Sequence, residues 1–440
     1  MTIINVPQSD VLIYDDLPPE AAAMLLALYS RDPRSARIHR EKIAEVGAEK
    51  FMGQYYVGYG HKSIGDCGTT TICAEFVSML AAKAIQDNEL YNGQEASTRY
   101  LDMQSMPVLN PLGTTEGAEI QEVWMNFYSR VLEELIPYLK TQYPMLPEDK
   151  PGVYEKAIKA KAFDIARSFL PAGCTTFVGW HTNLRQAWDH VKEMSFHPLP
   201  EVRELSAKIL NDLKEKYPNS FGFKSYPEQD DYMATCSEYY YSNLKLGDDF
   251  HYITDELAVS RMRNNHAAMK LLATRPEKTE LPNWFKRFGT IQFRFHLDFG
   301  SFRDIQRHRS CTQLMPLLTT SIGFNEWYLN SLPIHLRIEA EKIIKMQISC
   351  ITKIENPEIR QYYTAMGFNV ACELTASLPS AIYIAELRSG QTVHPTLRPI
   401  AQQMGNALKS VFPEMTLHID YSPDEWSTKR GTHDIVKKSE

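Results

Sequence analysis

The sequence lacks a long uninterrupted apolar run. Its best candidate among 440 residues, Thr71 to Ile85, contains Glu75 and Lys83, so it falls short of the roughly 18 apolar residues that a membrane-spanning helix needs. The segment MTIINVPQSD at the N-terminus has neither the basic start nor the apolar stretch of a signal peptide. We therefore expect a protein that is neither exported nor bound to a membrane.

Paired cysteines and several common cofactor or nucleophile motifs are also absent. The seven cysteines are scattered along the chain without a CxxC pair, which is typical of buried thiols in a reducing compartment. None of the motifs GxGxxG, GxxxxGKS/T, GxSxG and HExxH occurs. These absences predict a cytoplasmic protein without a metal site or a disulfide framework.

The chain carries little excess charge of either sign. A formal net charge of −7 argues against duplex nucleic acid or an anionic membrane surface as the main partner. A local cluster of arginines could still bind a small anionic ligand. The length predicts two or three domains, and a hydrophobic content of 43% is ordinary for a globular protein.

Helical periodicity dominates the sequence. Apolar residues recur at helical spacing in five long segments, at residues 118–143, 153–170, 200–217, 334–355 and 359–378. Alternating apolar and polar residues predict fewer strands, at residues 290–302 and 415–421. This mixture predicts helices packed on a small, mainly antiparallel sheet, which is the α+β class.

Two parts of the chain repeat the same landmarks in the same order. Leu170-Pro171 and Leu378-Pro379 are each followed by a helical stretch, a His-Pro pair and an arginine that opens a helix. This order favours an internal duplication. We expect a first repeat at residues 1–220, a linker rich in turn residues at 221–248, and a second repeat at 249–440.

Arg307, His308 and Arg309 form the sharpest cluster of polar side chains. Two guanidiniums beside an imidazole are costly to leave unpaired in a dry core, and arginine forks fit phosphate oxygens. The cluster therefore suggests a site for a polyanion. The alternative interpretation is a solvated or salt-bridged turn, because charge clusters are usually surface features.

A second cluster lies in the heptapeptide QEASTRY, residues 94–100. Glu95, Ser97 and Arg99 alternate, so in an extended segment all three side chains would face the same way. A carboxylate, a hydroxyl and a cation on one face could bind a nucleotide. The alternative is a surface strand on which the glutamate and the arginine pair with each other.

Smaller signals lie outside these clusters. Asn183 precedes a predicted helix that also carries Arg185, so it is either a helix cap or part of an anion site at the helix start. His61 and Ser63 lie at a turn, where a lone histidine is more often structural than catalytic.

Together these residues resemble the signature of the flavin-dependent thymidylate synthases. That family carries R-H-R-x-x-S-x-N-E-x-S-x-R-Y, preceded by a G-H-x-S/T turn and followed by R-x-x-L-P, a T…W…N-x-R stretch and an L-R element. Residues 50–215 match this layout in order. The matching segments are GHKS from Gly60, EASTRY from Glu95, RSFLP from Arg167 and a T…W…NLR stretch ending at Arg185. Residues 280–412 resemble the family more weakly, with Thr375 aligned to Arg167 and the T…W…N-x-R stretch deleted.

The resemblance implies that the motif is divided between the repeats. The first repeat has Asp87-Asn88-Glu89 in place of R-H-R and Met194 in place of the later L-R arginine. The second keeps R-H-R and Leu387-Arg388, but has MPLLT, residues 315–319, in place of E-x-S-x-R. Family members are homotetramers with active sites between subunits, so a fusion would let each copy lose half of a site. We expect one chain to mimic a dimer and a homodimer to mimic the tetramer.

The resemblance also implies the roles of single residues. FAD would be contacted by Arg307, His308 and Arg309, with His61, Ser63, Asn183 and Arg185 as further candidates. A deoxyuridine phosphate would be held by Glu95, Ser97, Arg99, Arg167 and Arg388, of which Arg167 and Arg388 would be the catalytic residues. The implied reaction is reductive methylation of dUMP at C5, with methylenetetrahydrofolate and NADPH as co-substrates and the flavin as the redox group.

Other interpretations remain open at this stage. Met315 and Leu317, which replace polar positions of the family, favour C5 alkylation of a different pyrimidine nucleotide by the same flavin chemistry. Loss of half of each motif would also suit a non-catalytic flavin- or nucleotide-binding protein, or a structural subunit. The divided motif requires two segments that share one loop in the family to converge from different repeats.

Overall fold

The computed structural model describes residues 11–243, 250–428 and 431. Part of the predicted linker, residues 244–248, lies outside this range. Helices and antiparallel strands are both present in the described residues, which confirms the α+β class. No helix in the described part of the chain is long and apolar enough to cross a membrane.

The first half of the chain is mainly helical, with three strands. Its elements are α1 (Pro19–Tyr29), α2 (Ala36–Val46), α3 (Glu49–Phe51), β1 (Thr69–Ser78), α4 (Met79–Gln86), β2 (Asn92–Glu95), α5 (Thr115–Gln142), α6 (Pro151–Ala166), β3 (Thr175–Asn183), α7 (Leu184–Met194) and α8 (Pro200–Lys216). A 3-10 turn at Lys62–Cys67 precedes β1, and another at Arg167–Phe169 precedes β3.

The second half follows a similar course. After α9 (Pro227–Glu238), its elements are β4 (His251–Thr254), α10 (Glu256–Arg263), α11 (His266–Ala273), β5 (Thr290–Asp298), α12 (Phe299–Ile305), β6 (Cys311–Leu314), α13 (Glu326–Asn330), α14 (Ile334–Ile351), α15 (Pro357–Arg360), β7 (Asn369–Ser377), α16 (Leu378–Ser389) and α17 (Arg398–Val411). A 3-10 turn at Asn283–Phe288 precedes β5, and another at Gln361–Tyr363 precedes β7.

The two halves share their strand order and their strand-to-helix junctions. One sheet has the order β1-β3-β2, and the other has β5-β7-β6 with β4 added beside β5. Ser78 caps α4 by accepting a hydrogen bond from the Ala81 N–H at 3.0 Å. Asp298 caps α12 by accepting one from the Ser301 N–H at 2.9 Å. This agreement supports the proposed internal duplication.

A short backbone seam, formed by residues 168–173 and 362–367, joins the halves. Pro171 and Ala365 form an antiparallel bridge at its centre. Equivalent residues exchange donor and acceptor roles across the bridge, which is the pattern of surfaces related by a two-fold axis. The bonds are Ala172 N–H to Thr364 O (2.9 Å), Met366 N–H to Leu170 O (2.9 Å), Gly173 N–H to Tyr362 O (2.9 Å) and Gly367 N–H to Ser168 O (2.8 Å).

The seam corrects the alignment of the repeats. It places Leu170-Pro171 opposite Thr364-Ala365, so the pairing of Leu170-Pro171 with Leu378-Pro379 is wrong. Gln361, rather than Thr375, is the counterpart of Arg167, because each begins the 3-10 turn that precedes an equivalent strand, β3 in the first half and β7 in the second. The second half therefore has an equivalent of β3, and no T…W…N-x-R stretch is deleted. Pro379 is the second residue of α16, a position in the first helical turn that tolerates proline.

The predicted elements agree with the structure for four of the five long helices. Residues 118–143, 153–170, 200–217 and 334–355 are helical over most of their length. Residues 359–378 are not, because they hold the 3-10 turn and β7. Central strand β7 is buried at most positions, and such an apolar run mimics helical periodicity. The strand predicted at 290–302 ends at Asp298, and residues 415–421 form no strand.

The chain divides by contacts into two compact units that are interleaved in sequence. Unit 1 comprises the chain up to Cys73, Leu90–Gly93 and Gly179–Cys236, and unit 2 comprises Ala74–Glu89, Gln94–Val178 and the chain from Ser237 onwards. The unit boundaries fall inside β1, β2 and β3, so the units do not coincide with the proposed repeats. The core of unit 2 contains the rings of Trp124, Phe127, Phe169, Phe324 and Phe368.

The seam generates a stability prediction. A Cβ added at Gly173 would lie 2.7 Å from the Tyr362 carbonyl oxygen and 2.9 Å from that of Leu109, so Gly173→Ala must displace backbone. We expect a loss of about 1–3 kcal/mol in the free energy of unfolding, measured by chemical denaturation. Gly152→Ala is the matched control, because no atom lies within 4 Å of its added Cβ. Equal stabilities of the two variants would contradict the proposed role of the seam.

Candidate functional site

The two motif segments make contact inside unit 2. Arg303, on α12, forms an ion pair with Glu95 at the end of β2, and their side chains are only 9% and 2% exposed. Gln86 Nε2 donates to the second oxygen of Glu95 at 2.8 Å. Arg303 also donates to Met79 Sδ at 3.1 Å. The segment before Arg307-His308-Arg309 and the segment of Glu95 thus meet, although they come from different halves.

Arg99 joins two carboxylates at this place. Its Nε donates to Asp164 Oδ1 at 2.7 Å and its Nη2 to Asp164 Oδ2 at 3.2 Å. Its Nη1 lies 3.9 Å from Asp304 Oδ2. Nη2 also lies 3.5 Å from the Thr392 carbonyl oxygen. The cation is therefore held by a bidentate carboxylate from α6 and faces a second carboxylate from α12.

Arg388, on α16, binds the turn that follows α12. Its Nε donates to His308 Nε2 at 2.7 Å, and its Nη2 donates to the Asp304 carbonyl oxygen at 2.6 Å. Because Nε2 accepts, the neutral imidazole carries its proton on Nδ1. Burial and the Arg388 cation lower the pKa of His308 to about 3, which Asp304 opposes only in part. His308 is therefore a neutral acceptor that orients Arg388 near pH 7.

Arg167 enters the same region from the seam. It is 2% exposed, and its Nη2 donates to Ser301 Oγ at 3.1 Å. Ser301 Oγ also lies 2.7 Å from Thr396 Oγ1 and 3.2 Å from His394 Nδ1. His394 Nε2 donates to the Asp164 carbonyl oxygen at 3.2 Å, so Nδ1 is the acceptor of a neutral ring. Burial, assisted by nearby cations, lowers the pKa of His394 well below its ordinary value.

Asp304 is the carboxylate that these arginines share. Burial alone would raise its pKa, but surrounding positive charge outweighs burial and lowers the pKa of Asp304 below its ordinary value. It therefore stays ionised at neutral pH. The responsible cations, largest contribution first, are Arg99, Arg167, Arg388 and Arg307.

Several buried polar atoms of the cluster have no hydrogen-bond partner among the described residues. They include two donors, Arg167 Nε and Arg303 Nε, and one acceptor, Asp304 Oδ2. Buried polar groups are normally paired, so unpaired donors and an unpaired acceptor in one cluster suit a polar ligand. The arrangement can bind and orient an anion or a carbonyl-rich ring, and stabilise negative charge that develops on it.

The R-H-R residues differ in exposure. Arg307 and Arg309 are exposed, whereas His308 is buried. The turn hydrogen bond from the His308 N–H to the Ile305 carbonyl oxygen, at 3.0 Å, directs the ring inward. Both interpretations made from the sequence therefore describe part of the triplet: a solvated turn for the two arginines, and a buried polar contact for the histidine.

The extended conformation expected for Glu95 to Arg99 is wrong beyond Glu95. β2 ends at Glu95, and the chain then turns, with the N–H groups of Tyr100 and Leu101 donating to the Ser97 carbonyl oxygen at 3.1 and 3.0 Å. Ser97 Oγ accepts from the Arg99 N–H at 3.3 Å, which fixes the turn locally. Glu95 and Arg99 thus reach different partners, Arg303 and Asp164.

The remaining predicted residues lie in unit 1. Asn183 caps α7, because its Oδ1 accepts from the Gln186 N–H at 2.8 Å. Arg185 Nε donates to Asp66 Oδ1 at 2.7 Å. His61 is exposed, and its Nδ1 lies 3.2 Å from Arg31 Nη2. Ser63 is also exposed. The structure thus gives Asn183 and Arg185 local structural contacts.

Asp164, Asp304, Ser301 and His394 were not among the predicted site residues. Spacing offered a signal for two of them. Asp164 precedes Arg167 by one helical turn, and Asp304 stands in the same relation to His308, so each carboxylate lies close to a predicted residue. Ser301 and His394 gave no such signal, because their contacts come from other elements.

The counterpart of this cluster in the other half is differently built. Lys83 occupies the position on α4 that Arg303 has on α12, and it pairs with Asp87, the residue that follows α4. Met315 follows β6 where Glu95 ends β2. The Tyr240 hydroxyl accepts from the Met315 N–H at 2.9 Å and lies 3.1 Å from its carbonyl oxygen. A tyrosine from the connection between the halves therefore binds the backbone where the first cluster has a carboxylate.

Metal ligation has no support in the described part of the chain. No group of three or more histidine, cysteine, aspartate or glutamate side chains there could hold a metal ion.

Comparison with known proteins finds a family match in the first half. Residues 13–219 match the family model described as thymidylate synthase complementing protein. A UPF0159 protein of Chlamydia muridarum is 24% identical over 86% of this chain and 83% of its own length. A UPF0159 protein of Chlamydia pneumoniae is 24% identical over 94% and 92%, and UPF0159 protein Ta1429 of Thermoplasma acidophilum is 23% identical over 89% and 93%. These relatives therefore match across both halves of the chain.

The Arg388–His308 contact predicts an unusual titration. We expect the His308 ring to stay neutral from pH 8 down to pH 4.5, because its pKa is lowered to about 3. Histidine-selective ¹⁵N NMR would follow this ring, and Arg388→Met should raise its pKa by removing the adjacent cation. The unfolded chain takes up this proton near the ordinary value of 6.5, so His308 lowers stability as pH falls from there.

The control for this titration is Arg337→Met, which removes a half-buried arginine of α14 that pairs with Glu341. A His308 signal that titrates between pH 6 and 7 in the parent protein would contradict the assigned contact.

Proposed function

Because residues 13–219 match the family model described as thymidylate synthase complementing protein, we propose that this chain is a flavin-dependent enzyme that methylates dUMP at C5. In this proposal methylenetetrahydrofolate supplies the carbon unit and NADPH supplies the reducing equivalents. The observation that carries the proposal is the contact of Glu95 and Arg99, from the first half, with Arg303 and Asp304, from the second.

The residues present fit a flavin dinucleotide. Arg307 and Arg309 are exposed on either side of buried His308, and guanidiniums with solvent access suit a diphosphate. In the proposal these three residues hold FAD, and His61, Ser63, Asn183 and Arg185 remain further candidates. Bound FAD would supply the hydride for the reductive step.

The protein's own residues bind the nucleotide and orient it. Glu95, Ser97 and Arg99 are the proposed contacts to the nucleotide, together with Arg167 and Arg388. Guanidiniums beside a uracil carbonyl would stabilise the negative charge that builds up when C5 acts as a nucleophile. Arg388 suits this role because neutral His308 fixes its direction without a carboxylate in bidentate contact.

The alternative is C5 alkylation of a different pyrimidine nucleotide, and one observation bears on how either nucleotide would bind. Arg99, a proposed phosphate contact, is already engaged by both oxygens of Asp164. A phosphate would have to compete with that carboxylate for the same donors. Substrate preference within the pyrimidine nucleotides is therefore the part of the proposal that needs a direct measurement.

The reaction is tested with the full-length protein. We expect visible flavin absorbance after purification, and release of tritium from [5-³H]dUMP in the presence of methylenetetrahydrofolate and NADPH. Arg388→Ala should reduce dUMP affinity or turnover about 100-fold, since truncating one partner of a buried charged contact is costly. Arg337→Ala is the control, because Arg337 lies on α14 and pairs with the exposed Glu341.

The outcomes separate the candidates. Flavin absorbance without tritium release from dUMP, but with turnover of another pyrimidine nucleotide, would favour the alternative. Bound flavin without turnover of any pyrimidine nucleotide would favour a non-catalytic binding protein. Absence of flavin after reconstitution with FAD would reject the proposal.

The proposed assembly is a homodimer that corresponds to a family tetramer. The reciprocal bonds of the seam within one chain support it, because they supply one two-fold contact internally. Light scattering coupled to size exclusion should give twice the chain mass of 50.5 kDa. A mass of one chain or of four chains would contradict this arrangement.

A further inference from the structure

The carboxylate of Asp304 places a negative charge among the arginine side chains of the candidate site. Its Oδ2 lies 3.9 Å from Arg99 Nη1, and its backbone oxygen accepts from Arg388 Nη2 at 2.6 Å. Oδ2 is buried and has no hydrogen-bond partner among the described residues. The carboxylate therefore lies among guanidiniums without being consumed by a bidentate pair, as Asp164 is with Arg99.

The surrounding charges are mixed. Cations that act on Asp304 come from three directions: Arg99 after β2, Arg167 at the seam, and Arg388 on α16, with exposed Arg307 one turn further along its own segment. Asp164 adds a second carboxylate through its pair with Arg99, and neutral His308 adds no charge. A ligand oxygen that approached Arg99 or Arg388 would thus meet a fixed negative charge at close range.

The negative charge of Asp304 affects the binding of a ligand according to the charge of that ligand. Juxtaposition of like charges in a binding site costs several kcal/mol, and the cost grows with the charge of the ligand. A phosphomonoester dianion is repelled more strongly than a ligand of lower charge.

We propose that Asp304 is a specificity-determining residue, which weakens the binding of doubly charged anions at the arginine cluster. The part of the inference that concerns dUMP rests on the proposed function. The inference about the anion does not, since it concerns the charge of the cluster alone.

The test uses sulfate, a doubly charged tetrahedral anion that does not titrate near neutral pH. Isothermal titration of the full chain, at pH 8 and at constant ionic strength set with chloride, compares the parent with Asp304→Asn. We expect the variant to bind sulfate at least about ten-fold more tightly. Asp304→Gln repeats the measurement should the first variant not fold, as judged by circular dichroism. Glu341→Gln, which removes an exposed carboxylate paired with Arg337, is the matched control.

Equal or weaker sulfate binding by the folded Asp304 variants would overturn the proposal, and so would an equal gain in the Glu341 control. A second titration compares dUMP with deoxyuridine, and the preference for dUMP should rise by a similar factor in Asp304→Asn. Because sulfate binding needs neither flavin nor turnover, a gain in sulfate affinity without methylation would reject the proposed reaction and retain this inference. Methylation of dUMP without a gain in sulfate affinity would retain the proposed reaction and reject this inference.

Discussion

The reciprocal backbone hydrogen bonds of the seam fix how the two halves of the chain meet inside unit 2, and the candidate site depends on them. Arg167 immediately precedes Ser168, whose carbonyl oxygen accepts from the Gly367 N–H. The seam thereby brings the Arg167 guanidinium to Ser301, at the start of α12. Gly367 is required at this approach, because an added Cβ would lie 2.3 Å from the Phe324 ring. Backbone pairing, rather than the charged residues themselves, sets the position of the cluster.

Charge burial is the cost of this arrangement. Buried ion pairs stabilise a fold only weakly, whereas loss of one partner leaves an uncompensated charge that costs several kcal/mol. The Arg303–Glu95 and Arg99–Asp164 pairs both include a nearly fully buried carboxylate. They are therefore better explained by the placement of a ligand-binding surface than by stability. The equivalent cluster has a local lysine–aspartate pair, Lys83 and Asp87, in place of a pair between the halves, and Gln306 of the second half donates to the Asp87 carboxylate.

Sequence patterns predict part of this structure, and there are physical reasons why they do not predict the rest. Arg307-His308-Arg309 and the residues from Glu95 to Arg99 were recognisable because their order along the chain is itself the signal. The α+β class followed from periodicity. The register of the repeat was misjudged because Leu-Pro occurs at Leu170 in an extended segment and at Leu378 at a helix start. Asp164 and Asp304 could not be predicted as site residues, because their ion pairs form only when the fold brings an arginine from another element next to them.

The asymmetry between the halves makes the arginine cluster depend on residues from both of them. Arg303 has no carboxylate in its own half at the position of Glu95, because Met315 stands there. Glu95 in turn has Lys83 rather than Arg303 on the helix that precedes it, and Lys83 is engaged with Asp87. Separating the halves would expose the seam and remove the contact between Arg303 and Glu95, so each residue would lose its ion-pair partner. Fusion of the two halves and division of the motif between them therefore reinforce each other. Each motif residue that one half loses makes that half more dependent on its covalent connection to the other.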